Sequence, residues 1–242
     1  MLRFFRRIRQ QLLTAGSLRK YLLYAVGEVV LVVIGILIAL QINTWNEERK
    51  RRQLKASYTE SLINDLSQDT LMLARLIDEN TKELHSLELQ QRRFLGPETP
   101  IDTLIRIVRY EFEPELNTRF QYHRNTLNTL VASGNIDLFS KEFNEMLLGL
   151  ISMQDIEREN SNYYMEIYSG KVSRFSDDFP VSGHKNSRII NAIWEDADRG
   201  KLAPGFISLT DIKGYAHYTF VQEVKKIKEE TTLILKALKA AN

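Results

Sequence analysis

The clearest pattern of hydrophobic and polar positions is an apolar stretch at residues 21–42, which reads YLLYAVGEVVLVVIGILIALQI. It contains one charged residue, Glu28, and its uninterrupted part runs from Val29 to Leu40. At about 1.5 Å per residue, a helix of this length spans about 33 Å, which is enough to cross a hydrocarbon core of roughly 30 Å. The pattern therefore predicts a transmembrane helix at residues 21–43.

A buried core helix and a secretory signal peptide are the two alternatives for this stretch. A core helix is rarely apolar on every face over twelve residues. A signal peptide ends in small residues of the A-x-A type, and Ala39-Leu40-Gln41 is a poor match to that pattern. We therefore interpret the stretch as an uncleaved membrane anchor, with the lipid bilayer as the first partner of the chain.

The basic residues on either side of the stretch predict its orientation. Residues 1–20 carry six Lys and Arg, and residues 49–55 carry five. Arg19 and Lys20 adjoin the stretch, whereas Arg49 lies seven residues beyond Ile42. Because positive residues close to a span stay in the cytoplasm, we expect a cytoplasmic N-terminus, an extracytoplasmic (periplasmic) C-terminal domain and a location in the inner (plasma) membrane.

Residues 1–20 form the first predicted segment. Their apolar and basic residues alternate in MLRFFRRIRQQLL so that the apolar ones can share one helical face. A basic amphipathic helix of this kind would lie on an anionic cytoplasmic leaflet. The alternative is a short disordered tail that only sets topology.

The apolar stretch holds four residues of functional interest. Glu28 can snorkel to the headgroups or pair with Lys20, or it can be a proton-carrying or helix-pairing carboxylate. The layout resembles single-span stator subunits of proton-driven motors, although those proteins use Asp and carry a peptidoglycan-binding domain, neither of which is found here. Gly27, Gly35 and Ala39 are small enough to let a second helix approach closely.

The remaining chain predicts an all-α domain. Residues 44–95 lack Pro and Gly and read as one long helix, with a bend at residues 67–69 or 80–81, that acts as a stalk or bundle helix. Residues 96–242 supply the other helices. We expect Thr99 and Ser140 to cap helices, Gly134 and Gly170 to end them, and residues 200–205 to be a loop before a capping box at residues 208–211. The last helix is expected to pack on the first.

The start of the chain is similar to a known family. FFRRIRQ, followed by KYLLYAVGEVVLVVIGILIALQINTWNEERK, resembles a family of uncharacterised single-span membrane proteins common in Bacteroidota, a domain of unknown function. TLNTLVASGNIDLFS at residues 126–140 is similar to that family's Leu-x-x-Ser-Gly element. The resemblance implies an N-terminal anchor, an inner-membrane location and a helical exported domain, and it implies no activity.

The net charge of the chain and the motifs that it lacks argue against several classes of function. The net charge is only +2 and the basic residues lie beside the apolar stretch, which argues against nucleic-acid binding. The chain has no cysteine, and its four histidines show no metal-binding spacing. We find no cofactor-binding or catalytic motif. We therefore expect a protein that is not an enzyme and holds neither a metal nor a cofactor.

Polar and aromatic residues in the second half suggest a binding pocket. Tyr122, His123 and Arg124 begin one predicted helix, near residues 122–133, and Tyr163 and Tyr164 lie on the next. Such residues between helices can line a ligand site, although ordinary core tyrosines give the same pattern.

Two hypotheses about function follow from these patterns. In the first, the anchored helical domain binds a partner or acts as a scaffold in the cell envelope, as a homo-oligomer or with another membrane protein. In the second, the protein is a ligand sensor or a proton-coupled transport or motor accessory subunit that uses Glu28.

Overall fold

Helices form all the regular secondary structure that is seen. The structure, a computed structural model, describes residues 18–181 and 187–240 and contains no β-strand in those ranges. The chain divides into two compact units, residues 1–57 and residues 58–242. The all-α fold class is confirmed. The amphipathic helix predicted near the N-terminus lies outside the described residues.

The first helix, α1, runs from Leu18 to Phe94 and supplies the described part of the first unit. Its apolar stretch is exposed on every side. Fourteen large aliphatic side chains are 47% to 69% exposed: Leu22, Leu23, Val26, Val29, Val30, Leu31, Val32, Val33, Ile34, Ile36, Leu37, Ile38, Leu40 and Ile42. By length and composition, α1 is the one helix among the described residues that is long and apolar enough to cross a membrane.

The second unit contains the end of α1 and five further helices. In chain order they are α2 (Ile101–Arg106), which continues as a π-helical turn (Ile107–Glu111), α3 (Asn125–Ala132), a 3₁₀ turn (Asn135–Leu138), α4 (Lys141–Asp178), α5 (Arg188–Asp196) and α6 (Arg199–Ala240). Residues 112–124 have no regular structure and connect the π-helical turn to α3.

Apolar residues at helical spacing build two buried clusters in the second unit. One cluster joins α1, α3, α4 and α6 through Leu62, Leu66, Leu73, Leu130, Leu147, Leu150, Val224, Ile227 and Ile234. The other is rich in aromatic residues and includes Phe94, Ile107, Phe112, Tyr168, Phe175, Phe179, Trp194 and Phe206. Residues three, four or seven apart share one helical face, so each long helix buries one stripe.

The last helix packs against the first, as predicted. Asn80 and Gln91 of α1 contact His217 and Thr210 of α6, at 2.8 Å and 3.3 Å. The later α1 residue meets the earlier α6 residue, so the two helices are antiparallel. This antiparallel pairing confirms the predicted packing of the last helix on the first.

Two of the predicted helix signals are confirmed. Ser140 caps α4, since its side-chain oxygen accepts a hydrogen bond from the backbone N–H of Phe143 at 3.3 Å. Gly134 follows α3 with φ of +70°, a left-handed conformation that costs glycine little and other residues more. Both signals depend on local chemistry alone.

The predicted cap at Thr99 is wrong. Its hydroxyl donates to the backbone carbonyl of Arg93 at 3.1 Å, and α2 begins at Ile101 with Pro100 as its N-cap and no side-chain cap. Thr99 therefore hydrogen-bonds a carbonyl at the C-terminal end of α1 and does not cap the N-terminus of α2.

The predicted end of a helix at Gly170 is also wrong, because α4 continues to Asp178. Glycine costs about 1 kcal/mol in a helix interior. Tyr168 and Phe175 lie on either side of Gly170. They are seven residues apart, so they share one helical face, and both are buried. Their packing outweighs the cost of the glycine.

The predicted loop at residues 200–205 and the capping box at residues 208–211 are wrong as well, because α6 begins at Arg199 and contains Pro204. A methyl group on Gly205 would lie 3.1 Å from the ring of Phe175, so this glycine permits close packing of α6 on α4. Ser208 accepts a hydrogen bond from Lys171 of α4 at 2.6 Å and does not cap a helix.

Candidate functional site

Three consecutive residues, Tyr122, His123 and Arg124, each contact an acidic residue on a neighbouring helix. The acids are Asp69 on α1 and Asp155 and Glu157 on α4. We call Tyr122–Arg124 the clamp segment. It lies at the end of the irregular stretch, immediately before α3. The clamp segment therefore ties two helices of the second unit together through side-chain bonds.

Tyr122 holds a buried carboxyl group. Its hydroxyl donates to Glu157 Oε2 at 2.9 Å, and the Ser161 hydroxyl donates to Glu157 Oε1 at 2.7 Å. Glu157 is only 2% exposed, and this burial raises its pKa. Burial and the nearby Glu157 carboxyl together raise the pKa of Tyr122. Glu157 and Tyr122 therefore both favour their neutral, protonated forms.

His123 binds Asp69 twice. Its backbone N–H donates to Asp69 Oδ1 at 2.9 Å, and its ring Nδ1 lies 2.7 Å from the same oxygen. One turn earlier on α1, Asp65 accepts from the backbone N–H of Thr126 at 3.3 Å. Two carboxylates thus lie at the N-terminus of α3, where unpaired N–H groups and the helix dipole favour negative charge.

Arg124 forms an ion pair with Asp155 of α4. Its Nη1 lies 2.6 Å from Asp155 Oδ1, and Arg158 Nη2 reaches the same oxygen at 2.8 Å. The hydrogen bond from Arg124 lowers the pKa of Asp155. The Arg124 side chain is largely buried, at 14% exposure. This ion pair therefore contributes more to the stability of the second unit than a fully exposed ion pair does.

A cavity of about 750 Å³ opens beside the clamp segment. Most of its lining residues are polar, and they are Thr118, Arg119, Phe120, Gln121, Tyr122, Arg124, Asn125, Asn128, Glu157, Arg158, Ser161 and Asn162. The volume suits a small molecule. Tyr122 and Arg124, which the sequence suggested as pocket residues, line this cavity, whereas His123 is turned to Asp69.

Tyr163 and Tyr164 lie elsewhere on α4 and do not line this cavity. Their rings are 5.3 Å apart, and Tyr164 is 5.4 Å from Tyr215 of α6. Tyr163 and Tyr215 are more than half exposed, as is Tyr218. We call Tyr163, Tyr164 and Tyr215 the tyrosine cluster. They form an aromatic patch on the surface of the second unit.

A second buried polar group was not anticipated from the sequence. Lys213 of α6 is 4% exposed, donates to the backbone carbonyl of Glu113 at 2.6 Å, and lies over the ring of Phe112. His217, one turn later, lies 2.8 Å from Asn80 Oδ1. Burial, and then the charge of Lys213, lowers the pKa of His217 to about 4. The signal was available, because these polar residues occupy buried positions on otherwise apolar helix faces.

The candidate residues of the first unit all lie on the apolar stretch of α1. Glu28 is half-buried. A methyl group added at Gly27 or Gly35 would meet no atom within 4 Å, so the close approach suggested for these residues needs a helix other than those that the structure describes. Ala39 is exposed.

The acids and histidines that the structure describes do not gather into a metal site. Within residues 18–181 and 187–240, no three His, Asp or Glu side chains are placed to hold an ion together.

Comparison with known proteins identifies a family and no function. The profile of a protein family described as "Family of unknown function (DUF6090)" matches residues 28–177. The match covers most of α1, the clamp segment, α3 and α4 up to its last residue but one. No curated protein and no solved structure matches the chain.

Proposed function

We propose that this chain, which belongs to the Family of unknown function (DUF6090), is a membrane-anchored, non-enzymatic protein that binds a partner. In this proposal the apolar stretch of α1 is the anchor. The second unit is the binding or scaffolding part, and it acts in the cell envelope.

The observation that supports an anchor most directly is the exposure of the apolar stretch. Fourteen large aliphatic side chains between Leu22 and Ile42 are at least 47% exposed, and they cover all sides of the helix. Soluble proteins rarely expose apolar patches larger than roughly 300 to 600 Å². A bilayer would remove this surface from water, at about 25 cal/mol for each Å².

We further propose that the second unit lies outside the cytoplasm, in the orientation that Arg19 and Lys20 favour. A reporter enzyme that is active only in the periplasm, fused after Asn242, should then be active. A reporter that works only in the cytoplasm, fused at the same place, is the matched control. Activity of the cytoplasmic reporter alone would reverse the orientation and leave the anchor intact.

A non-enzymatic role is supported by how the titratable groups are used. His123, Arg124 and Tyr122 are each bound to an acid of a neighbouring helix. These contacts hold α1, α3 and α4 together, which is a structural task. The tyrosine cluster is a better candidate for partner contact, since exposed tyrosines are enriched among the residues that dominate protein interfaces.

Affinity purification from native membranes tests this proposal. We expect the wild-type chain to retain a protein partner, and the Tyr163→Ala/Tyr215→Ala variant to lose it, because large-to-small changes at central interface residues cost about 2 kcal/mol or more. Leu71→Ala and Ile189→Ala are the controls, since both side chains are 74% exposed and lie outside the cluster. A partner that all the variants retain would exclude the tyrosine cluster as the contact surface.

A second candidate function is a ligand sensor or a proton-coupled accessory subunit. The cavity of about 750 Å³ beside the clamp segment favours it, because Glu157 and Tyr122 line that cavity and have raised pKa values. Glu28 would be the proton carrier in the anchor.

The variant Glu28→Gln separates the two candidate functions. A scaffold should keep the same co-purified partners when Glu28 loses its charge. A proton-coupled subunit should lose its function, and its partner should be a channel-like protein with several spans. Recovery of such a partner from native membranes would favour the second candidate over the first.

A further inference from the structure

Four consecutive basic residues follow the apolar stretch on the same helix. Arg49, Lys50, Arg51 and Arg52 are all exposed. Successive residues of an α-helix are about 100° apart, so four in a row point in all directions around the axis. We call this group the basic collar. Whichever side of the helix another span covers, part of the collar still faces outward.

The collar lies at the height of a membrane surface if the apolar stretch spans a bilayer. Arg49 is seven residues beyond Ile42 and Arg52 is ten, which gives about 10 Å and about 15 Å along the helix. The headgroup layer extends roughly 5 to 8 Å beyond the hydrocarbon core. The collar is therefore within about one Debye length, roughly 8 Å, of the outer edge of the headgroups. Long basic side chains can also bend towards that edge.

No ion pair within the described part of the chain neutralises the collar charges. Among the residues that the structure describes, no carboxylate forms an ion pair with Arg49, Lys50, Arg51 or Arg52. Glu47, the nearest acid but one, accepts a hydrogen bond from Asn43 at 2.9 Å. The four cations thus remain available to an external anion.

We propose that the basic collar binds the anionic headgroups of phospholipids in the leaflet next to it. This inference rests on the proposed membrane anchor. The collar would select anionic over zwitterionic lipid through charge, because clustered Lys and Arg beside a span attract anionic lipids. The exposed Trp45, four residues before Arg49, lies at the interface and reports on the same lipids.

Tryptophan quenching tests the proposal with the full chain in vesicles. Two vesicle preparations contain the same mixture of phosphatidylcholine and phosphatidylglycerol, and only the brominated component differs between them. The Trp45→Phe chain gives the background from Trp194, which is 5% exposed and packed in the second unit. We expect brominated phosphatidylglycerol, at equal mole fraction, to quench Trp45 about two- to fivefold more than brominated phosphatidylcholine does, since one cation near an anionic surface is worth about a factor of five.

The charge variants make the test specific to the collar. In the variant Arg49→Gln/Lys50→Gln/Arg51→Gln/Arg52→Gln, the two brominated lipids should quench Trp45 equally. The control Arg92→Gln/Arg174→Gln/Arg188→Gln/Lys201→Gln removes the same number of Arg and Lys charges from exposed positions of the second unit and should keep the selectivity. The selectivity of the wild type should also fall as salt is added.

The possible outcomes distinguish the collar from the anchor. Equal quenching by both lipids in the wild-type chain would overturn the collar proposal and leave the anchor standing. Selectivity that survives in the collar variant would overturn it too. An absence of quenching by either lipid would overturn the anchor, and the collar proposal with it.

Discussion

Helix α1 carries two different hydrophobic patterns, one in each unit. In the first unit its large aliphatic residues between Leu22 and Ile42 surround the helix and are exposed, Leu37 at 58% for example. In the second unit they form a stripe, so that Leu66 and Leu73 are buried at 3% and 0% while Leu71 is 74% exposed. The difference shows what each part requires. A stripe is buried by the other helices of the second unit, whereas an all-round apolar surface needs an apolar surrounding that the described residues do not supply.

The largest expected effect is the loss of a stripe residue. Leu73→Ala should lower the free energy of unfolding of the second unit by about 2 to 5 kcal/mol, because it leaves a cavity in a packed core. Urea denaturation followed by circular dichroism measures this change.

Two control variants complete the measurement. Leu71→Ala and Leu37→Ala should each change the unfolding free energy by less than about 0.5 kcal/mol, since both side chains are exposed. If Leu37→Ala destabilises the second unit as much as Leu73→Ala does, the two patterns do not have separate roles.

A charge placed in the all-round apolar pattern should act on membrane insertion instead. Val33→Arg lies near the middle of the stretch, where an arginine costs about 2.5 to 3.5 kcal/mol. We expect the fraction of protein that resists alkaline extraction from membranes to fall, while the unfolding of the second unit stays unchanged. Leu71→Arg is the control and should alter neither measurement. A wild-type chain that stays soluble and monomeric without detergent would refute the anchor.

Much of the fold could be predicted from the sequence because its signals are local. The spacing of Leu62, Leu66 and Leu73 predicts a buried stripe, and Ser140 and Gly134 mark helix ends through their own side-chain or backbone chemistry. No knowledge of the rest of the molecule is needed for these features.

The features that could not be predicted depend on tertiary contacts. Gly170 lies inside α4 because Tyr168 and Phe175, on either side of it, are buried in the core, and Gly205 lies inside α6 where the ring of Phe175 packs against it. Sequence alone does not show which residues make these contacts. The same holds for the candidate site. The sequence suggested Tyr122 and Arg124 as pocket residues, but their acidic partners lie about 30 residues away and on another helix.

The second unit also buries titratable groups, and this gives it a pH dependence that an aliphatic stretch lacks. The pKa of His217 falls from 6.5 to about 4 on folding. As the pH drops below about 6.5, the unfolded chain takes up the proton first. The stability that neutral His217 contributes is therefore present above that pH and is lost as the pH falls towards 4, by about 3 kcal/mol in all.

Comparison of two histidine variants isolates this effect. The unfolding free energy of His217→Gln should change less between pH 6.5 and pH 4 than that of the wild type, and His85→Gln, at an exposed position, should behave like the wild type. The curve of the variant must be subtracted from that of the wild type, because burial raises the pKa values of Glu157 and Glu223. Their contributions to the unfolding free energy therefore change with pH in the opposite direction to that of His217. Parallel curves for wild type and His217→Gln would contradict the assignment.

The smallest expected effects concern glycines, which occur in open space in both units. A methyl group at Gly149 of α4 would meet no atom within 4 Å, so Gly149→Ala should raise the unfolding free energy of the second unit by about 0.5 to 1 kcal/mol. Gly134→Ala should lower it by about 1 to 2 kcal/mol, because φ is +70° there.

Gly35 has equally open surroundings among the described residues. If it instead packs against a second span, as the sequence suggests, Gly35→Leu should weaken self-association in detergent while leaving urea denaturation of the second unit unchanged.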